Sequence, residues 1–442
     1  MHSIGNFKLP YLRMPMKVNL LNIGCFKNLV DSEHLLHSIS ASGVAINFGE
    51  LSEPADIAII NTCGFIGDAD DASLETIRRY AKMKTEGMCR ELWIMGCYSQ
   101  KLGERLRNLV PQVDRIYGNF DWERIPFDLN IPYAVGIERI ITTPGHYAFV
   151  KISEGCNQPC SYCIKPYLNG PLKSIPQDDI LRECRWLVSK GVREIQLVAQ
   201  NLTAYGMDLD GKKQIADLVA RISDIPGVDW IRLHYAYPNG FPLNLLNVIR
   251  ERPNVCNYLD MAIQHCNTKM LKLMRRGMNK EMLTKLISQI REAVPGIYLR
   301  TTVMTGHPGE TEEDYHELYE FLKEQRFERL GVFAYSHQQP SYAYSHYKDD
   351  ISEKVKRDRA LAIMALQKQI YGDINNAKIG TVERVIIDHI QGSHAYGRTQ
   401  YSTPMADPKV RIAVGRESVQ EGRFYDVRMT ENLGKDIGGV II

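Results

Sequence analysis

Strand-like and helix-like segments alternate over most of this chain, and the alternation limits the folds that it can adopt. Between residues 140 and 376, six apolar runs indicate strands, with helical patterns between them. These runs are Tyr147–Ile152, Glu194–Val198, Trp230–His234, Tyr258–Ile263, Ile297–Val303 and Leu330–Tyr335. Repeated βα units predict parallel strands joined by right-handed crossovers. Six units are fewer than the eight of a closed barrel, so we expect an open, partial (βα)6 barrel.

The flanking segments differ in character from this central part. Residues 16–139 also alternate strands and helices, which predicts an α/β fold with an open parallel sheet. Residues 377–442 contain short β-like runs separated by glycine, asparagine or proline, and they predict a small five-stranded β-barrel. Residues 1–15 show no regular pattern and are expected to form a loose N-terminal extension. We therefore predict three domains, 16–139, 140–376 and 377–442, after this extension.

Composition restricts the classes of function. The 442 residues are 44% hydrophobic and carry a formal net charge of +2, so no strong global field favours nucleic acid. We find neither an apolar run long enough to cross a bilayer nor an export signal, and we expect a cytoplasmic protein without a membrane partner. The ten cysteines of such a chain are expected to stay reduced, which favours metal binding or catalysis over disulfides.

Three cysteines lie close together in the loop after the first strand of the predicted barrel. Cys156, Cys160 and Cys163 have the spacing Cys-x₃-Cys-x₂-Cys, with no obvious fourth ligand. A structural zinc site is normally closed by four ligands. A 4Fe-4S cluster held by three cysteines leaves one iron free to bind another molecule. The alternative is a zinc site completed by a distant cysteine or histidine.

A second set of cysteines follows three strands of the N-terminal segment. Cys25, Cys63 and Cys97 each come at a strand end, and each has a glycine beside it. Ligands of open parallel sheets bind beyond the carboxyl ends of the strands, so we expect these three thiols to meet in one crevice. They would then form a second three-cysteine metal site. The alternative is that the three are small buried apolar side chains.

The cysteine loop, with Tyr162 directly before its third cysteine, resembles the signature of the radical S-adenosylmethionine enzymes. From Lys17 onward the chain resembles the methylthiotransferases of that superfamily, which combine an N-terminal cysteine domain, a radical barrel and a C-terminal TRAM module. The runs Gly24–Glu33, Asn61–Ile66 and Arg232–Pro238 resemble the RimO-type branch. That branch modifies an aspartate of ribosomal protein uS12, whereas the MiaB-type branch modifies an adenosine of transfer RNA.

Several positions depart from the pattern of the family. Asn169 stands where the family usually has arginine, and Thr305 stands where it usually has glycine. Asn201 replaces an aspartate of the RimO-type branch and is closer to the RNA-modifying relatives. Action on transfer RNA therefore stays open as the alternative function. The departures affect none of the six cysteines, but they bear on cofactor contacts, substrate fit and activity.

The resemblance implies two 4Fe-4S clusters and S-adenosylmethionine as cofactors. Their predicted catalytic ligands are Cys156, Cys160 and Cys163 for the radical cluster and Cys25, Cys63 and Cys97 for an auxiliary cluster that supplies sulfur. S-adenosylmethionine is expected to bind the open iron of the radical cluster, and a second molecule to supply the methyl group. The predicted cofactor-binding residues are Tyr162, Gln200 and His265. The implied partners are uS12, free or in the small subunit, and a flavodoxin or ferredoxin as electron donor.

A basic stretch follows the fourth predicted strand of the barrel. It contains Lys272, Arg275, Arg276 and Lys280. Charge runs of this kind usually lie on solvated surfaces, so we interpret the stretch as an exposed helix end. Contact with ribosomal RNA or with an acidic substrate is the alternative.

Overall fold

The structure is a computed structural model that describes residues 16–134, 136–404, 406–414 and 419–442. The predicted loose extension, residues 1–15, lies outside the described residues. The chain divides into two compact units. Unit 1 holds the chain up to Gly64 together with Asp71–Ile140, and unit 2 holds Phe65–Asp70 and Ile141–Ile442. This division does not test the three predicted domain boundaries, which stay a prediction.

Unit 1 is built on a five-stranded parallel sheet with the strand order β2-β1-β3-β4-β5. Its strands are β1 (Lys17–Asn22), β2 (Ala45–Phe48), β3 (Ala55–Thr62), β4 (Cys89–Gly96) and β5 (Arg115–Ile116). Its helices are α1 (Phe26–Ala41), α3 (Cys97–Leu102), α4 (Arg105–Leu109), α5 (Ile125–Asp128) and most of α2 (Gly67–Thr85), whose first four residues belong to unit 2, with a 3₁₀ turn at Trp122–Arg124. Successive strand residues point to opposite faces, so Ile59 packs in one apolar core and Ile60 in the other. Both faces of the sheet are thus covered, which confirms the predicted α/β layers.

The central part of unit 2 is a six-stranded parallel sheet with the order β13-β12-β11-β10-β9-β6. Its strands are β6 (Tyr147–Lys151), β9 (Glu194–Val198), β10 (Trp230–Ala236), β11 (Val255–Met261), β12 (Tyr298–Thr305) and β13 (Arg329–Ala334), and the short strands β7 (Ser153–Glu154) and β8 (Lys173–Ser174) pair separately. Its helices are α6 (Lys165–Asn169), α7 (Gln177–Ser189), α8 (Met207–Asp210), α9 (Ile215–Ser223), α10 (Asn244–Glu251), α11 (Thr268–Leu273), α12 (Lys280–Ala293), α13 (Glu312–Gln325) and α14 (Tyr342–His346), with a 3₁₀ turn at Leu202–Ala204. All six predicted strands are present. The sheet ends at β6 and β13, which confirms the open partial barrel.

The C-terminal part of unit 2 begins with the long helix α15 (Glu353–Lys378). The strands after it form a closed barrel, as predicted: β14 (Val382–Gln391), β15 (His394–Arg398), β16 (Val410–Ala413), β17 (Phe424–Leu433) and β18 (Asp436–Ile441). Ile363 and Ile370 of α15 pack into the core of the central sheet. Within the described ranges no helix, α15 included, combines the length and the apolar character needed to cross a bilayer.

The small barrel packs against the amino ends of the central strands. Arg398 of β15 pairs with Glu194, the first residue of β9, and the Tyr401 ring lies 4.2 Å from that of Tyr298, the first residue of β12. The Tyr258 hydroxyl donates a hydrogen bond to Asp407 at 2.9 Å. This packing covers the amino ends, so the site must be sought at the carboxyl ends of the strands.

Candidate functional site

The first three-cysteine site lies in unit 2, in the loop that follows β6 and β7. Cys156, Cys160 and Cys163 line one cleft of about 460 Å³. The backbone amides of Gln158 and Lys165 donate hydrogen bonds to the sulfurs of Cys156 and Cys163, each at 3.4 Å. Amide donors of this kind stabilise negative charge on sulfur. The loop therefore presents three thiols to one space, and two of them receive amide hydrogen bonds that favour their ionised forms.

The electrostatic environments of the three thiols differ. Burial raises the pKa of Cys156, and it raises the pKa of Cys163 to about 12. Burial also opposes ionisation of Cys160, but the charge of Arg276, with hydrogen bonds from Tyr237, Arg276 and Tyr162, lowers the pKa of this thiol. Arg276 lies 3.3 Å from the Cys160 sulfur. The structure thus buries Arg276, which was expected on an exposed helix end, and no pattern in the sequence distinguishes it from its exposed neighbours.

The predicted cofactor-binding residues lie in different surroundings. The Tyr162 hydroxyl accepts a hydrogen bond from Arg276 at 3.3 Å. Gln200 donates through Nε2 to Glu154 at 2.6 Å, and its Oε1 is buried without a partner among the described residues. That oxygen can accept a hydrogen bond from a ligand. The side chain of His265 is fully buried, and its Nδ1 accepts hydrogen bonds from the amides of the next two residues at 3.0 Å. The cofactor contacts of these residues stay predictions.

A smaller cavity of about 170 Å³ adjoins the cysteine loop. Cys156 and Gln158 line it on the loop side, together with Asn201, Thr203 and Lys213. The Asn201 side chain accepts a hydrogen bond from Thr203 at 2.9 Å, so this departure from the family pattern is part of the cavity wall. Lys213 donates to the Gly240 carbonyl, and burial lowers its pKa. Sequence reasoning missed Lys213, because a lone lysine in a polar segment carries no motif.

The second three-cysteine site lies in unit 1. Cys25 precedes α1 after β1, Cys63 directly follows β3, and Cys97 begins α3 directly after β4. Strands β1, β3 and β4 are parallel neighbours, so the three thiols share the carboxyl edge of the sheet. Burial, together with negative charge on Cys25 and Cys63, raises the pKa of Cys97 to about 12. The strand order thus puts the three thiols at one edge of the sheet, and their role as ligands of one cluster stays a prediction.

Asn28, on the first turn of α1, lies among these thiols. Its Oδ1 accepts a hydrogen bond from the Cys25 sulfur at 3.2 Å, and its Nδ2 lies 3.9 Å from the Cys97 sulfur. The same Nδ2 donates to Asn61 Oδ1 at 3.0 Å. The resemblance included Asn28 in a motif but gave it no role. Beside Cys63, a Cβ at Gly64 would meet the Tyr98 backbone at 2.8 Å, so this glycine makes room for neighbouring protein rather than for a ligand.

Both sites fit a 4Fe-4S cluster better than a single metal ion. Over the described ranges, no three His, Cys, Asp or Glu side chains converge closely enough to hold one metal ion. Zinc would require four ligands in a tight tetrahedron. A cubane cluster is wider, and three cysteines hold it with one iron left open. The donor sets, three thiols that line one cleft in unit 2 and three thiols at one sheet edge in unit 1, therefore suit a cluster.

A three-thiol loop at the carboxyl end of an open parallel βα barrel defines a radical S-adenosylmethionine enzyme. Family models agree with this class: residues 150–322 match the Radical SAM superfamily and residues 379–442 match the TRAM domain. Residues 17–118 match a model described as uncharacterized protein family UPF0004.

Curated relatives identify the family. The chain is 48% identical to ribosomal protein uS12 methylthiotransferase RimO of Bacteroides thetaiotaomicron over 94% of this chain and 96% of that protein. It is 41% identical to the protein of the same name from Cytophaga hutchinsonii over 96% of this chain and 98% of that one. The chain belongs to the RimO family of radical S-adenosylmethionine methylthiotransferases, and it is an enzyme of that class.

Solved structures agree on the fold. The radical S-adenosylmethionine methyltransferase TsrM of Kitasatospora setae, solved with cobalamin and a 4Fe-4S cluster, superposes with a TM-score of 0.55. The match covers 73% of this chain and 75% of that one at 13% identity. At this identity the likeness concerns the fold alone.

Proposed function

We propose that this protein attaches a methylthio group to the β-carbon of an aspartate in ribosomal protein uS12. A radical 4Fe-4S cluster would bind at Cys156, Cys160 and Cys163, and an auxiliary cluster at the other three-thiol site. The observation that carries the proposal is the presence of two separate three-thiol sites, each at the carboxyl edge of a parallel sheet, in a chain of the RimO family. The name of the relatives supports uS12 as substrate.

The chemistry requires both sites. When bound, the cofactors supply a radical that takes hydrogen from the β-carbon, a sulfur atom from the auxiliary cluster, and a methyl group from a second S-adenosylmethionine. A C–H bond is broken and a C–S bond is formed. The protein holds its thiolates with the amides of Gln158 and Lys165 and offers Gln200 Oε1 to a ligand. Electrons would come from a flavodoxin or ferredoxin.

The cavity of about 170 Å³ beside Cys156 suits the target side chain. Lys213 contributes an ammonium group there, and a substrate carboxylate would pair with it. Replacement of Lys213 by methionine should raise KM for the substrate more than it lowers kcat, because the anchor acts on binding. A lower kcat at unchanged KM would argue against this role.

Mass spectrometry of modified substrates tests the function. The reconstituted protein would be incubated without oxygen with S-adenosylmethionine, sulfide and a reductant, and offered a uS12 loop peptide, small ribosomal subunits or transfer RNA. We expect a methylthio mass gain on an aspartate of uS12. Formation of 5′-deoxyadenosine with modification of transfer RNA alone would favour the alternative substrate.

The C-terminal barrel gives a reason to prefer the protein substrate. From Gly380 to Ile442 the sequence has eight Lys or Arg and eight Asp or Glu. Binding of nucleic acid gains most of its affinity from cations that neutralise phosphates. A segment without excess positive charge lacks this source of affinity, which supports uS12 over transfer RNA.

A further inference from the structure

Arg276 is a buried cation that lies directly against the radical-cluster loop. Its side chain is among the buried polar groups, at 4% exposure. One terminal nitrogen donates hydrogen bonds to the Cys160 sulfur and the Tyr162 hydroxyl, both at 3.3 Å. The other donates to the Ala262 carbonyl at 2.5 Å, and the Tyr237 ring lies 4.1 Å from the guanidinium carbon.

The partners of Arg276 differ from those of most buried arginines in this protein. Four others form ion pairs with carboxylates: Arg139, Arg232, Arg359 and Arg398. Arg329 is bound by a carbonyl and a hydroxyl, and lies over aromatic rings. Among the described residues Arg276 has no ion pair with a carboxylate, and the acidic groups to which it donates hydrogen bonds are the Cys160 thiol and the Tyr162 phenol. A buried cation without a counter-charge is costly.

We propose that Arg276 is the resident counter-charge of the radical cluster. The inference rests on the proposed assignment of that cluster to Cys156, Cys160 and Cys163. The guanidinium pairs with the Cys160 sulfur when this sulfur is a cluster ligand. The ring of Tyr237 supports the guanidinium, and the Tyr237 hydroxyl donates to the Arg276 carbonyl at 3.3 Å.

This pairing has a direct consequence for electron transfer. Reduction adds one electron from the donor protein to the cluster and makes it more negative. A fixed cation beside a ligand sulfur stabilises the reduced form more than the oxidised form. Arg276 therefore makes the reduction potential less negative and makes the cluster easier to reduce. Arg276 thus acts on the cluster indirectly, by holding a positive charge beside the Cys160 ligand.

The test is the midpoint potential of the radical cluster, measured by EPR-monitored titration without S-adenosylmethionine. The protein would carry alanine at Cys25, Cys63 and Cys97, so that the signal comes from one cluster. We expect Arg276→Gln to shift the reduction equilibrium at least tenfold toward the oxidised form, about 59 mV for one electron. Arg276→Lys should shift it less. Arg250→Gln is the control, because it removes the same charge from an exposed arginine of α10 that pairs with Glu251 and is not among the residues that line the cysteine cleft.

Each outcome is decisive. An unchanged midpoint potential in Arg276→Gln with full iron content would overturn the inference. A variant whose only effect is weaker binding of S-adenosylmethionine would overturn it as well. If Arg276→Gln loses the cluster while Arg276→Lys keeps it, the charge is what retains the cluster, which supports the pairing. Loss from both variants, with the fold intact by circular dichroism, would contradict it. If the parent protein binds no iron at this loop, the proposed function fails instead.

Discussion

At the scale of single residues, Gly155 is the position beside the radical-cluster loop that least tolerates a side chain. Its φ is +68°, and a Cβ would lie 1.9 Å from the Pro171 carbonyl oxygen. The next residue, Cys156, donates its backbone N–H to the Gly170 carbonyl at 3.1 Å. The two sides of the loop are therefore held together at a point where only glycine fits.

Gly155→Ala should deplete iron from the radical site and lower the thermal midpoint. Gly191→Ala is a matched control, since Gly191 also has a positive φ, +96°, but has open space around its Cβ position. The control should lose roughly 1–2 kcal/mol from backbone strain alone. Gly155→Ala adds overpacking, which costs about 1–3 kcal/mol more. Equal losses of stability and iron in both variants would refute the clash.

Asp260 should make stability depend on pH. It is buried in β11, and burial raises the pKa of its carboxyl to about 6. The folded protein therefore keeps a proton that the unfolded chain releases above about pH 4. The contribution of Asp260 to stability is present at low pH, falls as pH rises from about 4 to 6, and is absent above 6.

The variant Asp260→Asn isolates this effect. At pH 8 it should be more stable than the parent by up to about 3 kcal/mol, the equivalent of the raised pKa, and near pH 4 the two should match. Thermal midpoints measured from pH 4 to pH 8 would show a difference that grows up to pH 6. A difference independent of pH would contradict the assignment.

At the scale of elements, the sequence predicted the six central strands well, because each is an apolar run bounded by polar turns. It also placed Cys25, Cys63 and Cys97 at one sheet edge, because neighbouring parallel strands end at the same edge, and their metal binding stays a prediction. The contacts of Arg276 and Arg398 could not be predicted from the sequence. Arg398 pairs with Glu194 across 204 positions, and such a pair leaves no periodic pattern. Arg276 lies within a basic stretch, where only tertiary packing separates a buried arginine from an exposed one.

Arg398 joins β15 to β9, and we expect its ion pairs to contribute strongly to the free energy of unfolding. Its side chain is fully buried between Glu194 and Asp388, bonded at 2.7 Å to each. In Arg398→Met, Glu194 keeps Arg232 and Asp388 keeps His146, but both buried carboxylates lose the guanidinium that they share, so we expect a loss of up to about 3–5 kcal/mol. The control Arg411→Met breaks an exposed pair with Glu431 and should cost about 0–1 kcal/mol. Chemical denaturation measures both, and equal losses would show that Arg398 contributes no more than a surface pair.

At the scale of the whole molecule, each compact unit contains its own complete set of three thiols. Cys25, Cys63 and Cys97 belong to unit 1, whereas the radical-site cysteines all belong to unit 2. The two sites share no ligand, so each cluster should assemble without the other. If the proposed function holds, formation of the radical and supply of sulfur should be separable activities of one chain.

Replacing the three unit 1 cysteines by alanine should separate radical formation from sulfur supply. Iron content should fall from about eight to about four atoms per chain, because a cubane cluster has four irons. 5′-Deoxyadenosine should still form, while methylthiolation of uS12 should cease because the proposed source of sulfur is removed. Cys184→Ala is the control, since Cys184 is a buried core residue of α7, and it should keep all the iron and both activities. Loss of 5′-deoxyadenosine formation together with methylthiolation would show that radical formation also depends on the unit 1 site, and the division of labour between the units would have to be abandoned.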